Sequence, residues 1–128
     1  MIEGWKAFTV ENARLTSAIK RVYEAGVIYE EGKITVPKTA CGPLLVFTSY
    51  EAARYFSDDI GNFLIKKVLY EPSNEVCVWD AWVSGVFCPE HANRVLLSKL
   101  YEDNPNSLIP GTIALASAVF VPKEESND

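Results

Sequence analysis

The sequence predicts an α+β fold: a mainly antiparallel sheet of six to seven strands with two helices. Three observations carry this. Short apolar runs bounded by turn residues recur along the chain. Only two stretches carry helical spacing with a start signal, one opening at Thr48 and one at Pro89. Strands and helices follow in irregular order, without the strict alternation a parallel sheet needs.

Gly4-Trp5-Lys6-Ala7-Phe8-Thr9-Val10 reads as the first strand. Glu11 to Ile19 is ambiguous, and Arg21-Val22-Tyr23 reads as a short strand. Val27-Ile28-Tyr29 and Lys33-Ile34-Thr35-Val36 flank Glu30-Glu31-Gly32, and a glycine in so short a link predicts a hairpin. Pro37 and Gly42-Pro43 bracket a loop. Leu44-Leu45-Val46-Phe47, a continuous apolar run, predicts a central buried strand. Thr48 and Glu51 have capping-box spacing, and Ala52, Ala53, Phe56 and Ile60 share the face of the helix that follows, with Gly61-Asn62 ending it.

Phe63 to Tyr70 carries apolar residues on both faces, with Lys66 and Lys67 one on each. That pattern predicts a strand covered on both sides, its lysines near an end. Glu71-Pro72-Ser73-Asn74 is a turn. Val76 to Val83 alternates, with Cys77, Trp79, Ala81 and Val83 on one face and Val78 and Trp82 on the other. Pro89 suits the first turn of a second helix, whose apolar face is Ala92, Val95, Leu96 and Leu100. Pro110-Gly111 predicts a type II turn before the last strand, Thr112 to Val121. The expected organisation is one domain over residues 1–122 with a polar tail at 123–128.

Composition narrows the function classes. Apolar residues make up 48% and charged residues 23% of the 128, as in globular chains and unlike disordered ones. The net charge of −5 is uneven: six basic against five acidic residues up to Lys38, six against twelve beyond it. Duplex nucleic acid is therefore not an expected partner, because its recognition needs a broad basic face. No leader pattern and no membrane-length apolar run is visible, so a cytoplasmic protein is expected, in the host cytoplasm if phage-encoded. Cys41, Cys77 and Cys88 are odd in number and widely spaced, which suits a reducing compartment.

No catalytic signature stands out. Phosphate-loop, dinucleotide-binding and nucleophile-elbow motifs are absent. Cys88-Pro89-Glu90-His91 with Cys41 and Cys77 offers four zinc-type ligands, but only one pair is closely spaced, and the reading is no metal and no cofactor. Whether these residues converge, and whether Cys41 meets His91 as a nucleophile and base, is left open by sequence. Trp5, Trp79 and Trp82 offer stacking or anchoring surfaces, with Trp79 and Trp82 on opposite faces. Lys6, Arg14, Lys20 and Arg21 are candidates for a local anion site.

The run Gly42-Pro43-Leu44-Leu45-Val46-Phe47-Thr48-Ser49-Tyr50-Glu51-Ala52-Ala53-Arg54-Tyr55-Phe56 resembles the strand–helix centre of small ADP-ribosyltransferase-like domains. The wider pattern, from Gly4-Trp5-Lys6 to Gly111-Thr112-Ile113-Ala114, resembles short uncharacterised phage and prophage proteins. Active members of the transferase group carry an Arg or His on an early strand and a late catalytic Glu. Lys6 stands where the first is expected and the last strand offers no clear Glu, so no catalytic role is carried over.

These readings combine into a small accessory protein of phage or mobile-element type that binds a protein partner or small ligand without catalysis, with a homo-oligomer as one form of assembly. The alternative is a divergent nucleotide-handling or nucleotide-sequestering protein, which needs Lys6, Tyr29 and Thr48 in one cleft with a carboxylate. A structural zinc module is a third class. The candidate ligand-binding residues are Trp5, Lys6, Arg14, Tyr29, Thr48 and Trp82.

Overall fold

The computed structural model describes residues 1–17, 27–37, 43–79 and 94–123. In chain order the elements are β1 (Ile2–Glu11), β2 (Arg14–Ser17), β3 (Ile28–Tyr29), β4 (Ile34–Thr35), β5 (Leu44–Phe47), α1 (Tyr50–Ile60), β6 (Leu64–Pro72), β7 (Cys77–Trp79), β8 (Arg94–Leu96), α2 (Leu97–Asp103) and β9 (Ile113–Phe120). Seven strands form one sheet, and β7 and β8 make a separate two-stranded ribbon. Among the described residues the strand ladders are antiparallel, with one isolated parallel bridge between Glu31 and Val121, so the α+β reading holds.

The sheet curls until it meets itself. Phe8 pairs with both Ser17 of β2 and Leu64 of β6, while Trp5 pairs with both Phe47 of β5 and Lys67 of β6. One edge of β1 thus serves β6, and the other is shared by β5 and β2. β9 does the same, pairing with β5 and β4 along one edge and β6 along the other. The ring β1–β5–β9–β6 is therefore closed, which leaves few strand edges to solvent. Gly4 permits the close approach of β1 and β5, since a Cβ there would lie 2.5 Å from Val46 Cγ1.

Alternation along these strands builds two cores. Phe8, Leu15, Tyr29, Val46, Val68 and Val119 point inside the ring. Ala7, Phe47, Ile113 and Leu115 point outward and are covered by Ala52, Ala53 and Phe56 of α1, Leu100 of α2, Leu108 and Val78. Phe56 lies between Phe47 and Phe63, with ring centroids 5.3 and 5.4 Å away. β6 is accordingly covered on both sides, with Lys66 facing in and Lys67 out. Pro110-Gly111 forms the expected turn: Thr112 N–H donates to the Ile109 carbonyl and Gly111 has φ +81°.

Several details differ from expectation. Val27–Tyr29 and Lys33–Val36 do not form a hairpin, because β3 pairs with β2 and β4 with β9. The link is a turn closed from Lys33 N–H to the Glu30 carbonyl, with positive φ at Gly32 but not at Glu31. Such a turn splays its flanking strands, whereas hairpins favour turns whose twist matches that of the strands. The actual tight hairpin joins β1 to β2 through Asn12 and Ala13, both at positive φ (52° and 63°). Ser49, not Thr48, caps α1 by accepting from Ala52 N–H, and Ile60 is exposed at its last turn. Arg94–Leu96 is strand, paired to β7, so Val95 and Leu96 are not on a helical face, and Leu100 belongs to a helix that begins at Leu97. The expected strand at Arg21–Tyr23 and the Pro89 helix start lie outside the described residues.

Candidate functional site

The ring is not sealed along its whole height. Leu64–Val68 of β6 pair with β1 on one edge, while β9 takes up the other edge only from Leu69 onward. Among the described residues β3 pairs with β2 alone. A seam therefore runs between β3 and the first half of β6, with no ladder across it among the described residues.

A cleft of about 840 Å³ opens at this seam. Its apolar walls are Val10, Leu15, Ile28 and Leu64, and its charged groups are Arg14, Glu30, Glu31 and Lys66. Tyr29 lines it from β3 with its side chain almost wholly buried. The Lys66 ammonium reaches across the seam to Glu31, 3.3 Å away, with side-chain exposures of 12% and 38%. Glu30 is held by Lys33 at 2.9 Å, and hydrogen bonding to Lys33 keeps its carboxyl below the usual range, with a smaller contribution from Arg14.

Lys6 lies deeper on the same inner face. It is 8% exposed. Its ammonium donates to the Leu45 carbonyl at 2.6 Å and sits 5.2 Å from the centre of the Tyr29 ring. Among the described residues it touches no carboxylate. Burial pulls its pKa from the ordinary 10.5 down to about 8. Burial also pushes the Tyr29 hydroxyl above its ordinary range, with a hydrogen bond to Ser17 opposing the shift.

Three of the six sequence candidates come together here. Arg14 and Tyr29 line the cleft, and Lys6 lies against the Tyr29 ring. Trp5 does not join them: successive side chains of a strand alternate, so it faces the outer core, where the Lys67 ammonium lies 5.7 Å from its ring. Thr48 is exposed and donates to the Thr112 carbonyl at 3.1 Å, away from the cleft. The convergence of Lys6, Tyr29 and Thr48 needed for a transferase-like pocket is therefore not met. Trp82 lies outside the described residues, as do Cys41, Cys88 and His91.

Sequence reading missed Lys66, Glu30 and Glu31 as cleft residues. The available signal was a lysine placed on the inner face of a strand covered on both sides. Among the described residues no group of three or more His, Cys, Asp or Glu is placed to hold a metal ion, and no helix is long and apolar enough to cross a membrane. Among the described residues the cleft lining contains no histidine, cysteine, serine or threonine. That lining mixes apolar and charged groups. Comparison with protein-family models, with curated proteins and with solved structures finds no match to this chain.

Proposed function

We propose that this protein binds a small ligand without catalysis, in the seam cleft between β3 and β6. The observation that carries the reading is the cleft itself: about 840 Å³, with apolar walls and converging Arg14, Lys66, Glu30 and Glu31. Small-molecule sites have this volume range and this mixture of apolar lining with a few placed polar groups.

A thermal-shift screen of the full chain tests this, using separate sets of nucleotides, amino acids, carboxylic acids, phosphate esters and neutral aromatics. A ligand that binds only the folded state raises its stability, by about 2.7 kcal/mol at a hundredfold excess over Kd. The expected result is a rise of several degrees with at least one set, lost in Ile28→Trp, which fills the cleft from an exposed position. No shift with any set, or a shift indifferent to Ile28→Trp, overturns the reading.

A further inference from the structure

The charges at the inner end of the cleft define what it accepts. Lys6 and Lys66 are direct partners across the β1–β6 ladder and point to the same inner face. Side chains so paired have Cβ atoms about 5 Å apart, and like charges directly opposed destabilise a sheet. The Glu31 carboxylate lies on Lys66. Lys6 has a carbonyl oxygen and an aromatic face, and both are weaker compensation for a buried cation than a carboxylate. Arg14 adds a third cation at the rim, while Glu30 is engaged by Lys33. Among the described residues the buried Lys6 ammonium beneath the cleft therefore has no carboxylate against it. Beside it stands an apolar wall of Val10, Ile28 and Leu64, all of them substantially exposed.

We infer that the cleft takes a ligand with a carboxylate or phosphate group, seated between Lys66 and Arg14 above Lys6, and with a compact apolar body lying on Val10, Ile28 and Leu64. The inference rests on the cleft being a ligand site and deepens that reading. An anion there answers the cross-strand lysine pair, and the guanidinium of Arg14 offers forked donors to either acid. The apolar rim gives affinity to an aryl or alkyl body that inorganic phosphate lacks.

The test is isothermal titration of the full chain with matched probes: phenylacetate against phenylacetamide, and phenyl phosphate against its neutral dimethyl ester, with inorganic phosphate alone as a control. At least one anion is expected to bind ten-fold or more tightly than its neutral partner and more tightly than inorganic phosphate, and to weaken as salt is raised. The carboxylate and phosphate arms decide which acid is preferred. Arg14→Gln, at an exposed position, and Lys66→Gln are each expected to weaken the anion five-fold or more and leave the neutral probe unchanged. Neutral probes binding as well as the anions overturn the anion inference and leave the ligand site standing. Anions indifferent to Arg14→Gln in a folded variant also overturn it. Failure of these probes together with every set of the wider screen overturns both readings.

Discussion

Lys6 and Lys66 oppose each other across the β1–β6 ladder, two ammonium groups on the inner face of a closed ring of strands. A sheet optimised for stability alone would place an opposite charge or an apolar pair there. The structure instead divides the difficulty: Lys66 leans out to Glu31 across the seam, and Lys6 is left against a carbonyl and the Tyr29 ring.

That arrangement gives a pH dependence with a definite sign. The Lys6 pKa is about 8 in the folded chain and 10.5 ordinarily, so between these values the unfolded chain holds more protons and stability rises with pH. Below about 8 both states are protonated and the curve is flat. The groups facing Lys6 are Lys66, Tyr29 and, beyond Lys66, Glu31. Tyr29 reverses the trend only at higher pH, where the unfolded tyrosine ionises first. Urea unfolding should therefore show a gain of about 2 kcal/mol from pH 7.5 to 9.5. Lys6→Met should abolish that gain and be about 2 kcal/mol more stable than the natural chain at pH 7, after the lost hydrogen bond to Leu45 is counted.

Glu31 acts as an internal competitor for any anion reaching Lys66. Its replacement, Glu31→Gln, removes a carboxylate 3.3 Å from the ammonium. Phenylacetate or phenyl phosphate should bind several-fold more tightly to this variant in calorimetry. Stability should fall by about 1–3 kcal/mol, because the Lys66 ammonium is only 12% exposed and stands opposite Lys6.

The hairpin between β1 and β2 carries a correctable strain. Ala13 adopts φ 63°, a conformation that costs a side-chain-bearing residue about 1–2 kcal/mol. Ala13→Gly relieves it but loses about 0.5–1 kcal/mol to the freer unfolded chain. A net gain of about 0.5–1 kcal/mol is expected in denaturant midpoints.

At the start of α1 two neighbouring hydroxyls have different tasks. Ser49 accepts from Ala52 N–H at 3.1 Å, while Thr48 donates to Thr112. Ser49→Ala should cost about 1 kcal/mol, as losing an N-cap does, and Thr48→Ala clearly less, because its bond is exposed. Equal losses in thermal unfolding would contradict the assignment.

The main strands and the first helix were legible because their signals are local. Leu44–Phe47 is apolar throughout, and Phe63–Tyr70 announces a strand with two covered faces. The pairing of β3 and β4 was not legible, because a glycine turn marks a change of direction and not which strands then meet. Asn12-Ala13 hid a true hairpin behind an alanine, where glycine is the usual signal. Val95 and Leu96 suit a helical face or a strand equally, and the ladder to β7 decides for the strand. At the site, Lys6, Arg14 and Tyr29 were reachable as residue types. Lys66 and Glu31 became partners only through the closure of the ring.

Ring closure also sets the order of events during synthesis. β1 finds its long partner only at residues 64–70, and β5 and β6 are joined only by residues 113–120. A ribosome releasing this chain therefore presents a partial sheet with unpaired edges on β5 and β6 until the last strand emerges, the situation in which neighbouring chains can pair wrongly. Contacts so distant in sequence place folding in the milliseconds-to-seconds range. A nascent chain halted before Ile113 should be protease-sensitive and aggregation-prone, acquiring its protected form in one late step once Phe120 is free to pair with Leu69.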